Sequence, residues 1–358
     1  MTSTPKQRIA SVDALRGLAV AAMLLVNNPG DWGHVYAPLE HAAWNGWTPT
    51  DLVFPFFLFI VGVSLSLAMG ARIASGDGAA LRGTVVNRAL RILVLGLVLH
   101  ALAWWLMDKP AFRIPGVLQR IGLCFGLVGL IAIQWRARGQ WIWLAALLLG
   151  YGALLLWGGP LDKAGNIASR VDAWLLGPHG YEWDAATRLG HDPEGIVATL
   201  GALATTLLGW RCGEALRAGA LRRLALIGVV AALAGFALDA SGLMPINKNL
   251  WTPAFVLWTG GLAALALLAA HGLIDRAGWP PLFRSFGVNA IAAYAGAWMC
   301  TVFLEGFHWM GPVYAHGFGW LEPIVGPEGR SLAFALVFVG VWWGIVKVLE
   351  RRRIFIKV

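Results

Sequence analysis

The chain has 358 residues, of which 58% are hydrophobic and 13% are charged, and its formal net charge is +9. A soluble domain is about half apolar and about a quarter charged, so this composition excludes an ordinary soluble enzyme and predicts an all-α polytopic membrane protein. The positive charges are spread over many short loops, which excludes a nucleic-acid partner, and three cysteines without a CxxC pair predict neither a metal site nor a disulfide framework.

About ten apolar runs are long enough to cross a bilayer as helices. Because ten is even, both termini are expected on one side. The loops of that side hold about nineteen of the 28 Lys and Arg residues, and the positive-inside rule therefore places both termini in the cytoplasm. We expect one domain over residues 1–358. The predicted spans lie near 9–28, 49–71, 87–107, 114–135, 140–158, 193–211, 221–242, 251–271, 284–305 and 330–349.

The first span carries two opposite charges near its start. Asp13 and Arg16 are three residues apart, so they share one helix face and can pair. The pair either orients this helix at the membrane surface or contributes to a cytoplasmic mouth for a cofactor.

Polar and titratable residues crowd the loop between the first two spans. They are Asn27, Asn28, His41, Asn45 and Asp51, and ionisable groups at a membrane boundary are costly and therefore indicate function. Histidine can remove a proton from an amine or accept an acyl group, and asparagine can donate a hydrogen bond to an oxyanion. An interfacial histidine among belt tryptophans is the alternative.

Two further spans begin with basic or amide residues. Gln119 and Arg120 lie inside the fourth span, where a buried arginine needs either a protein carboxylate or a ligand phosphate. Arg88 and Arg91, at the start of the third span, either bind phosphate or only enforce the topology.

Two loops predicted on the same side as His41 also carry candidate residues for a substrate. Glu194, in the DPEG sequence of 192–195, either caps the sixth span or binds an amino group. Asn247, Lys248 and Asn249 precede the eighth span, as a polar cap with a snorkelling lysine or as substrate contacts.

Several long blocks resemble, in the same order, the heparan-α-glucosaminide N-acetyltransferase family of membrane acyltransferases. The resemblance runs along almost the whole chain, which makes it specific. The blocks are SVDALRG at 11–17, VNN at 26–28, HAAWNGWTPTDLVFPFFLFIVG at 41–62, GVLQRIG at 116–122, DPEG at 192–195, PINKNLWTP at 245–253, NAIAAY at 289–294 and RRRIFIKV at 351–358.

The resemblance implies an acetyl transfer across the membrane. Cytoplasmic acetyl-CoA would give its acetyl group to the amine of a glucosamine-type sugar on the periplasmic side. The family's active-site histidine matches His41 and its asparagine matches Asn27, the acid of DPEG matches Glu194, and the arginine of GVLQR matches Arg120. Lys357 is carried over as a cytoplasmic phosphate contact for CoA.

The resemblance also implies a bacterial inner-membrane relative. Lysosomal members have an added luminal domain before the first span, whereas here the first span begins at once, so glucosamine or an envelope amino sugar is the expected acceptor. Two alternatives stay open, namely an amino-sugar transporter and an acyltransferase with another acyl donor. Glycine is frequent throughout, and a homodimer is left open because no one face is singled out.

Overall fold

Residues 9–356 are described by a computed structural model, in which they form a helical bundle with one short β-hairpin. The predicted all-α polytopic membrane class is confirmed. The helices of this part of the chain are α1 (Ala10–Asn27), α2 (Val53–Ala74), α3 (Arg82–Leu106), α4 (Val117–Gln134), α5 (Ala137–Trp157), α6 (Ile167–Leu176), α7 (Thr199–Arg217), α8 (Leu221–Ala240), α9 (Pro253–Ala270), α10 (Arg284–Val288), α11 (Ala290–Gly306), α12 (Met310–Phe318) and α13 (Glu322–Arg351).

Eight helical segments within residues 9–356 are long and apolar enough to cross a membrane, which makes the chain an integral membrane protein. α11 is also apolar but has only 17 residues. The eight segments are Ala10–Asn27, Pro49–Ala74, Ala79–Leu106, Val117–Gln134, Ala137–Trp157, Leu221–Ala240, Pro253–Arg276 and Met310–Arg351.

The sixth predicted span corresponds to α7, which has 19 residues but is not among these eight segments. Sixteen of its residues are buried, because α2, α4, α5, α8 and α9 surround it. Protein rather than lipid therefore covers this helix, and it can carry threonines and a buried arginine, Arg211, that a lipid-facing helix would exclude.

The backbones of α2 and α7 touch where each helix has a glycine. A Cβ on Gly62 would lie 1.9 Å from the carbonyl oxygen of Thr206, and a Cβ on Gly209 would lie 2.0 Å from that of Phe59. Only residues without a side chain allow helices to approach so closely. This contact fixes α2, and with it the loop that leads into α2, against the centre of the bundle.

The last two predicted spans belong to helical regions with interruptions that the sequence does not indicate. The run predicted at 284–305 divides into α10 and α11 at Asn289, whose φ and ψ are −124° and 36° and whose Oδ1 accepts a hydrogen bond from the N–H of Ile356 at 3.1 Å. The run predicted at 330–349 belongs to the longer α13, which is interrupted at Gly326, with φ of 76°.

The longest predicted loop contains structure of its own. Between α5 and α7 lie α6 and two antiparallel strands, β1 (Glu182–Asp184) and β2 (Leu189–His191). Asn166 caps α6 by accepting a hydrogen bond from the N–H of Ser169 at 2.8 Å. The fold thus places a small extramembrane layer next to the start of α7.

A Gly62→Ala variant is expected to lose about 1–3 kcal/mol of stability, because its new methyl group forces α2 and α7 apart. Thermal unfolding of the detergent-purified protein, followed by fluorescence size-exclusion chromatography, measures the loss. Gly340→Ala is the matched control, since a Cβ at Gly340 meets nothing within 4 Å. Equal melting temperatures for the two variants would contradict the close packing.

Candidate active site

Four connecting segments meet at one end of the bundle. The indole Nε1–H of Trp44 donates to the carbonyl oxygen of Leu161 at 2.7 Å, and the N–H of Gly46 donates to the carbonyl oxygen of Ile246 at the same distance. All four segments belong to the loops that the charge pattern predicts on one side of the membrane. They are residues 28–52, 107–116, 158–198 and 241–252.

His41 is held by a buried carboxylate. Its Nδ1 lies 2.7 Å from Oδ1 of Asp51, which is 1% exposed. The other carboxylate oxygen, Oδ2, accepts hydrogen bonds from the N–H groups of Ala42 and Thr48, both at 3.0 Å. Thr48 and Asp51 also form a reciprocal capping box at the start of the segment that leads into α2. The start of a membrane helix therefore fixes the position of the carboxylate that orients the imidazole.

This geometry sets the tautomer of the imidazole. A carboxylate can only accept, so Nδ1 of His41 carries the proton and Nε2 carries the lone pair. The His41 side chain is 47% exposed, whereas Asp51 beneath it is buried. The pair can therefore offer a base or a nucleophile to a substrate at the surface of the site.

Lys248 is the third member of this group. Its Nζ lies 3.0 Å from both ring nitrogens of His41 and 3.6 Å from Oδ1 of Asp51. Burial lowers the pKa of Lys248, and the negative charges of Asp51 and Glu194 oppose that change. The amino group of Lys248 thus lies beside the imidazole at the same end of the bundle.

Asn247 positions the lysine that follows it. Its Oδ1 accepts a hydrogen bond from the N–H of Leu250 at 2.8 Å, and its Nδ2 donates to Oδ1 of Asn45 at 3.0 Å. Asn249 is half-buried in the same turn. The predicted residues Asn45, Asn247, Lys248 and Asn249 therefore belong to one joint between two loops.

The two asparagines at the end of α1 differ. Asn28 is buried, donates from Nδ2 to the carbonyl oxygen of Leu24 at 2.7 Å, and accepts a hydrogen bond from the hydroxyl of Thr301 at 2.6 Å. Asn27 is the last residue of α1 and is exposed. Asn28 thus joins α1 to α11, whereas the amide of Asn27 is open to solvent.

Glu194 lies in a buried ion-pair network with Arg113. The guanidinium of Arg113 donates to Oε2 of Glu194 at 2.6 Å and to both carboxylate oxygens of Asp192, at 2.6 and 3.0 Å. Burial by itself would raise the pKa of Glu194, but the charges of Arg113 and Arg120 hold it below its ordinary value. Likewise, burial would lower the pKa of Arg113, but the two carboxylates raise it.

Arg120 is 1% exposed and incompletely paired. One terminal nitrogen donates to the carbonyl oxygen of Gly195 at 3.1 Å, and the guanidinium lies 5.1 Å from the ring centre of Trp251. Its Nε and Nη1 have no hydrogen-bond partner among residues 9–356. Since Arg120 also interacts electrostatically with Glu194 and Lys248, it lies at the end of the bundle that holds His41.

The residues expected to bind CoA do not form one group. Gln119 is buried beside Arg120, and its Nε2 donates to the carbonyl oxygen of Ile114 at 3.0 Å. Arg88 and Arg91 are exposed in the first half of α3, away from the loop that joins α3 to α4. Lys357 lies outside the described residues.

Three residues near the site were missed by the sequence interpretation. The charge pattern indicates Arg113 only as a loop charge. Its predicted place on the same side of the membrane as the two acids of DPEG is a usable signal for a pairing. His100 carries a ring nitrogen 2.8 Å from the carbonyl oxygen of Arg113, and only its place in an apolar run could have marked it. Asp172 accepts hydrogen bonds from the N–H groups of Ile196 and Val197, at 3.0 and 3.3 Å, just before α7.

An Arg113→Gln variant is expected to lose about 3–5 kcal/mol of stability at neutral pH, because two buried carboxylates lose their cation. Glu194 has a lowered pKa in the folded protein, so its contribution is present above its ordinary pKa of 4.5 and is lost only as pH falls through the lower pKa of the folded state. The difference in melting temperature between the variant and the wild type should therefore stay constant from about pH 8 to about pH 5 and shrink only as the pH falls below 4.5. Lys163→Gln, which breaks an exposed ion pair with Glu182, is the control and should cost little.

Asp172 predicts a pH dependence of opposite sign. Burial raises its pKa from 3.8 to about 6, so the folded protein binds a proton that the unfolded chain releases, and stability falls as pH rises from about 4 to 6. An Asp172→Asn variant should be more stable than the wild type at pH 7.5, by at most about 3 kcal/mol, and similar to it at pH 4.5. Parallel stability curves would show that Asp172 titrates normally.

The comparisons with known proteins agree with the resemblance seen in the sequence. Residues 8–159, which include His41, Asp51, Arg113 and Arg120, match the family model described as heparan-alpha-glucosaminide N-acetyltransferase, catalytic. The chain is 29% identical over 356 residues to the heparan-alpha-glucosaminide N-acetyltransferase of Homo sapiens and 30% identical over 360 residues to that of Mus musculus.

Each of these alignments covers 81% of this chain but only 52% and 53% of the two relatives, so the chain spans about half the length of the curated relatives it matches. The family resemblance predicted from the sequence is confirmed by the family model and by both relatives. The chain is therefore a relative of the heparan-α-glucosaminide N-acetyltransferases.

Proposed function

We propose that this protein is a membrane-embedded N-acetyltransferase that moves an acetyl group from acetyl-CoA to the amine of a glucosamine-type sugar. The names of the relatives and the matching family model support the reaction class. One observation carries the proposal at the level of residues. His41 is fixed through Nδ1 by the buried Asp51 at 2.7 Å, and its half-exposed ring presents Nε2 as the basic nitrogen.

The chemistry needs a neutral amine, because an ammonium has no lone pair. Nε2 of His41 removes a proton as the amine nitrogen bonds to the thioester carbonyl carbon, and the carbonyl electron pair moves to oxygen. The C–S bond then breaks, the carbonyl re-forms, and the proton passes to the departing thiolate. In a second form of the same proposal, Nε2 bonds to the thioester carbon and the thiolate leaves. The amine then bonds to the same carbon, the Nε2–C bond breaks, and the amine proton passes to the freed Nε2. Asp51 stabilises the positive imidazolium in either case.

The acceptor site is proposed at the joint between residues 28–52 and 241–252. Asn45, Asn247 and Asn249 bring amide groups, which suit the hydroxyl groups of a sugar, to the same joint as Lys248. Asn27 is proposed to extend this surface and Glu194 to face the amino group. Asn28, which is buried and bonded to Leu24 and Thr301, would support the surface from within the bundle. Glu194 shares its carboxylate with Arg113, so the network would have to accommodate a second cation.

The donor is proposed to reach His41 from the other end of the bundle. Arg88 and Arg91, together with Lys357, would supply cations for the CoA phosphates there, and Gln119 and Arg120 would face the acetyl end near the site. We propose that the phosphate end is cytoplasmic, that the His41 end is periplasmic, and that the membrane is a bacterial inner membrane. The positive-inside pattern of the loops supports that orientation.

A His41→Ala variant in proteoliposomes is expected to transfer acetyl groups from acetyl-CoA to glucosamine at least about 100-fold more slowly than the wild type, because general acid–base catalysis is lost. An Asp51→Asn variant should also react more slowly, because its amide can neither orient the imidazole as the carboxylate does nor stabilise the positive charge that the ring acquires. Acetylated product is measured by mass spectrometry after both substrates are supplied on opposite sides of the membrane.

His34→Ala is the matched control. His34 also pairs with an aspartate, Asp31, at 2.7 Å in the same loop, but both side chains are exposed. Near-wild-type transfer by His41→Ala would reject the proposed role of that residue. Uptake of unmodified sugar without acetyl-CoA would favour the transporter alternative, and transfer from longer acyl-CoAs but not from acetyl-CoA would favour another donor.

A further inference from the structure

Lys248 lies where negative charge would develop if the proposed function is correct. Its Nζ is 3.0 Å from Nε2 of His41, and its side chain is only 16% exposed. The loop that carries it is tied to the His41 loop by the Asn45–Asn247 hydrogen bond and by the hydrogen bond from Gly46 to Ile246. The lysine therefore has a fixed location rather than a free surface one.

We propose that Lys248 is a catalytic residue whose ammonium group binds the oxyanion of the tetrahedral intermediate. When the acetyl carbon is bonded to Nε2, or to an amine held against Nε2, its oxygen lies within a few bond lengths of that nitrogen. Nζ, at 3.0 Å from Nε2, is then within hydrogen-bond reach of the oxygen. This inference rests on the proposed N-acetyltransferase function and adds the residue that stabilises the charge.

The electron balance of the step explains why a cation is required. Attack on the thioester carbon moves one electron pair from the carbonyl bond to oxygen, which becomes negative until the C–S bond breaks and the thiolate leaves. Lys248 already lies beside His41, so its ammonium needs no large rearrangement to meet that charge. Asn27, at the end of α1, is exposed to solvent, which would weaken its interaction with the oxyanion.

The charged groups that face Lys248 are Asp51, Glu194 and Arg120 in addition to the imidazole. The two carboxylates favour the charged form of the lysine, which is the form that an oxyanion needs.

A purely structural lysine is the competing explanation. The Lys248–Asp51 pair at 3.6 Å could serve only to hold the two loops together. Removing it would then raise KM or lower the amount of folded protein. It would not lower kcat selectively.

Lys248→Met tests the proposal with the full chain in proteoliposomes. We expect kcat to fall by about 100- to 1,000-fold, as for the loss of an oxyanion donor, with KM for acetyl-CoA and for glucosamine within about threefold of the wild type. Lys248→Arg keeps the charge and should recover at least about tenfold of that loss. Lys163→Met, which removes an exposed lysine from the same end of the bundle, is the control and should be unchanged.

An active wild type with kcat of Lys248→Met within threefold of it would overturn the catalytic assignment of Lys248 alone. Equal losses in the Met and Arg variants would assign the residue a structural role and overturn the proposal as well. If the wild type itself transfers no acetyl group, the proposed function fails first and the oxyanion role fails with it.

Discussion

The buried carboxylate of Asp51 is the constraint on which the site depends. It lies at the start of the second membrane segment, where Thr48 and the backbone of Ala42 saturate one of its oxygens and leave the other for His41. Because α2 is held tightly against α7 at the centre of the bundle, the imidazole is positioned by the core of the membrane domain although it projects from a loop. His41 lies in a loop but is therefore positioned as firmly as a residue within a helix.

Charge compensation explains how so many ionisable groups can lie together. Asp51, Asp192 and Glu194 face Arg113, Arg120 and Lys248, so each buried charge has an opposite charge nearby. An unpaired ion in such surroundings would cost several kcal/mol. The network is nevertheless uneven, since Arg113 makes three hydrogen bonds to carboxylates whereas two nitrogens of Arg120 have no hydrogen-bond partner within residues 9–356.

The features of the fold and the site that depend on local sequence pattern were predicted well. Apolar runs gave the membrane class and most helices, because lipid selects for them residue by residue. His41 and Asp51 were both selected as candidates, and their pairing spans only ten residues. The partner Lys248 is 207 residues from His41, and Arg113 is 81 residues from Glu194, so their contacts follow from the packing of helices and not from any local signal.

Prediction from local pattern was less accurate where protein, and not lipid, surrounds a helix. The sequence predicts α7 as one span among others, yet its polar residues find partners within the bundle. The hydroxyl of Thr206 donates to the carbonyl oxygen of Ala202 in the same helix at 3.0 Å, and Arg211 donates to Gln140 of α5 at 2.7 Å. The interruption at Asn289 and the small layer of α6, β1 and β2 were also missed, since both are stabilised by contacts with distant parts of the chain. Polar residues in this hydrophobic chain thus occur in a helix enclosed by other helices as well as in the candidate site.

The enclosure of α7 has a consequence for how the protein is made. A segment that is marginally apolar and carries an arginine gains little by entering lipid alone, so it cannot partition independently as the ribosome delivers it. Its membrane insertion must be coupled to helices synthesised earlier, above all α2, which supplies its closest neighbour. We therefore expect insertion of these helices to be cooperative.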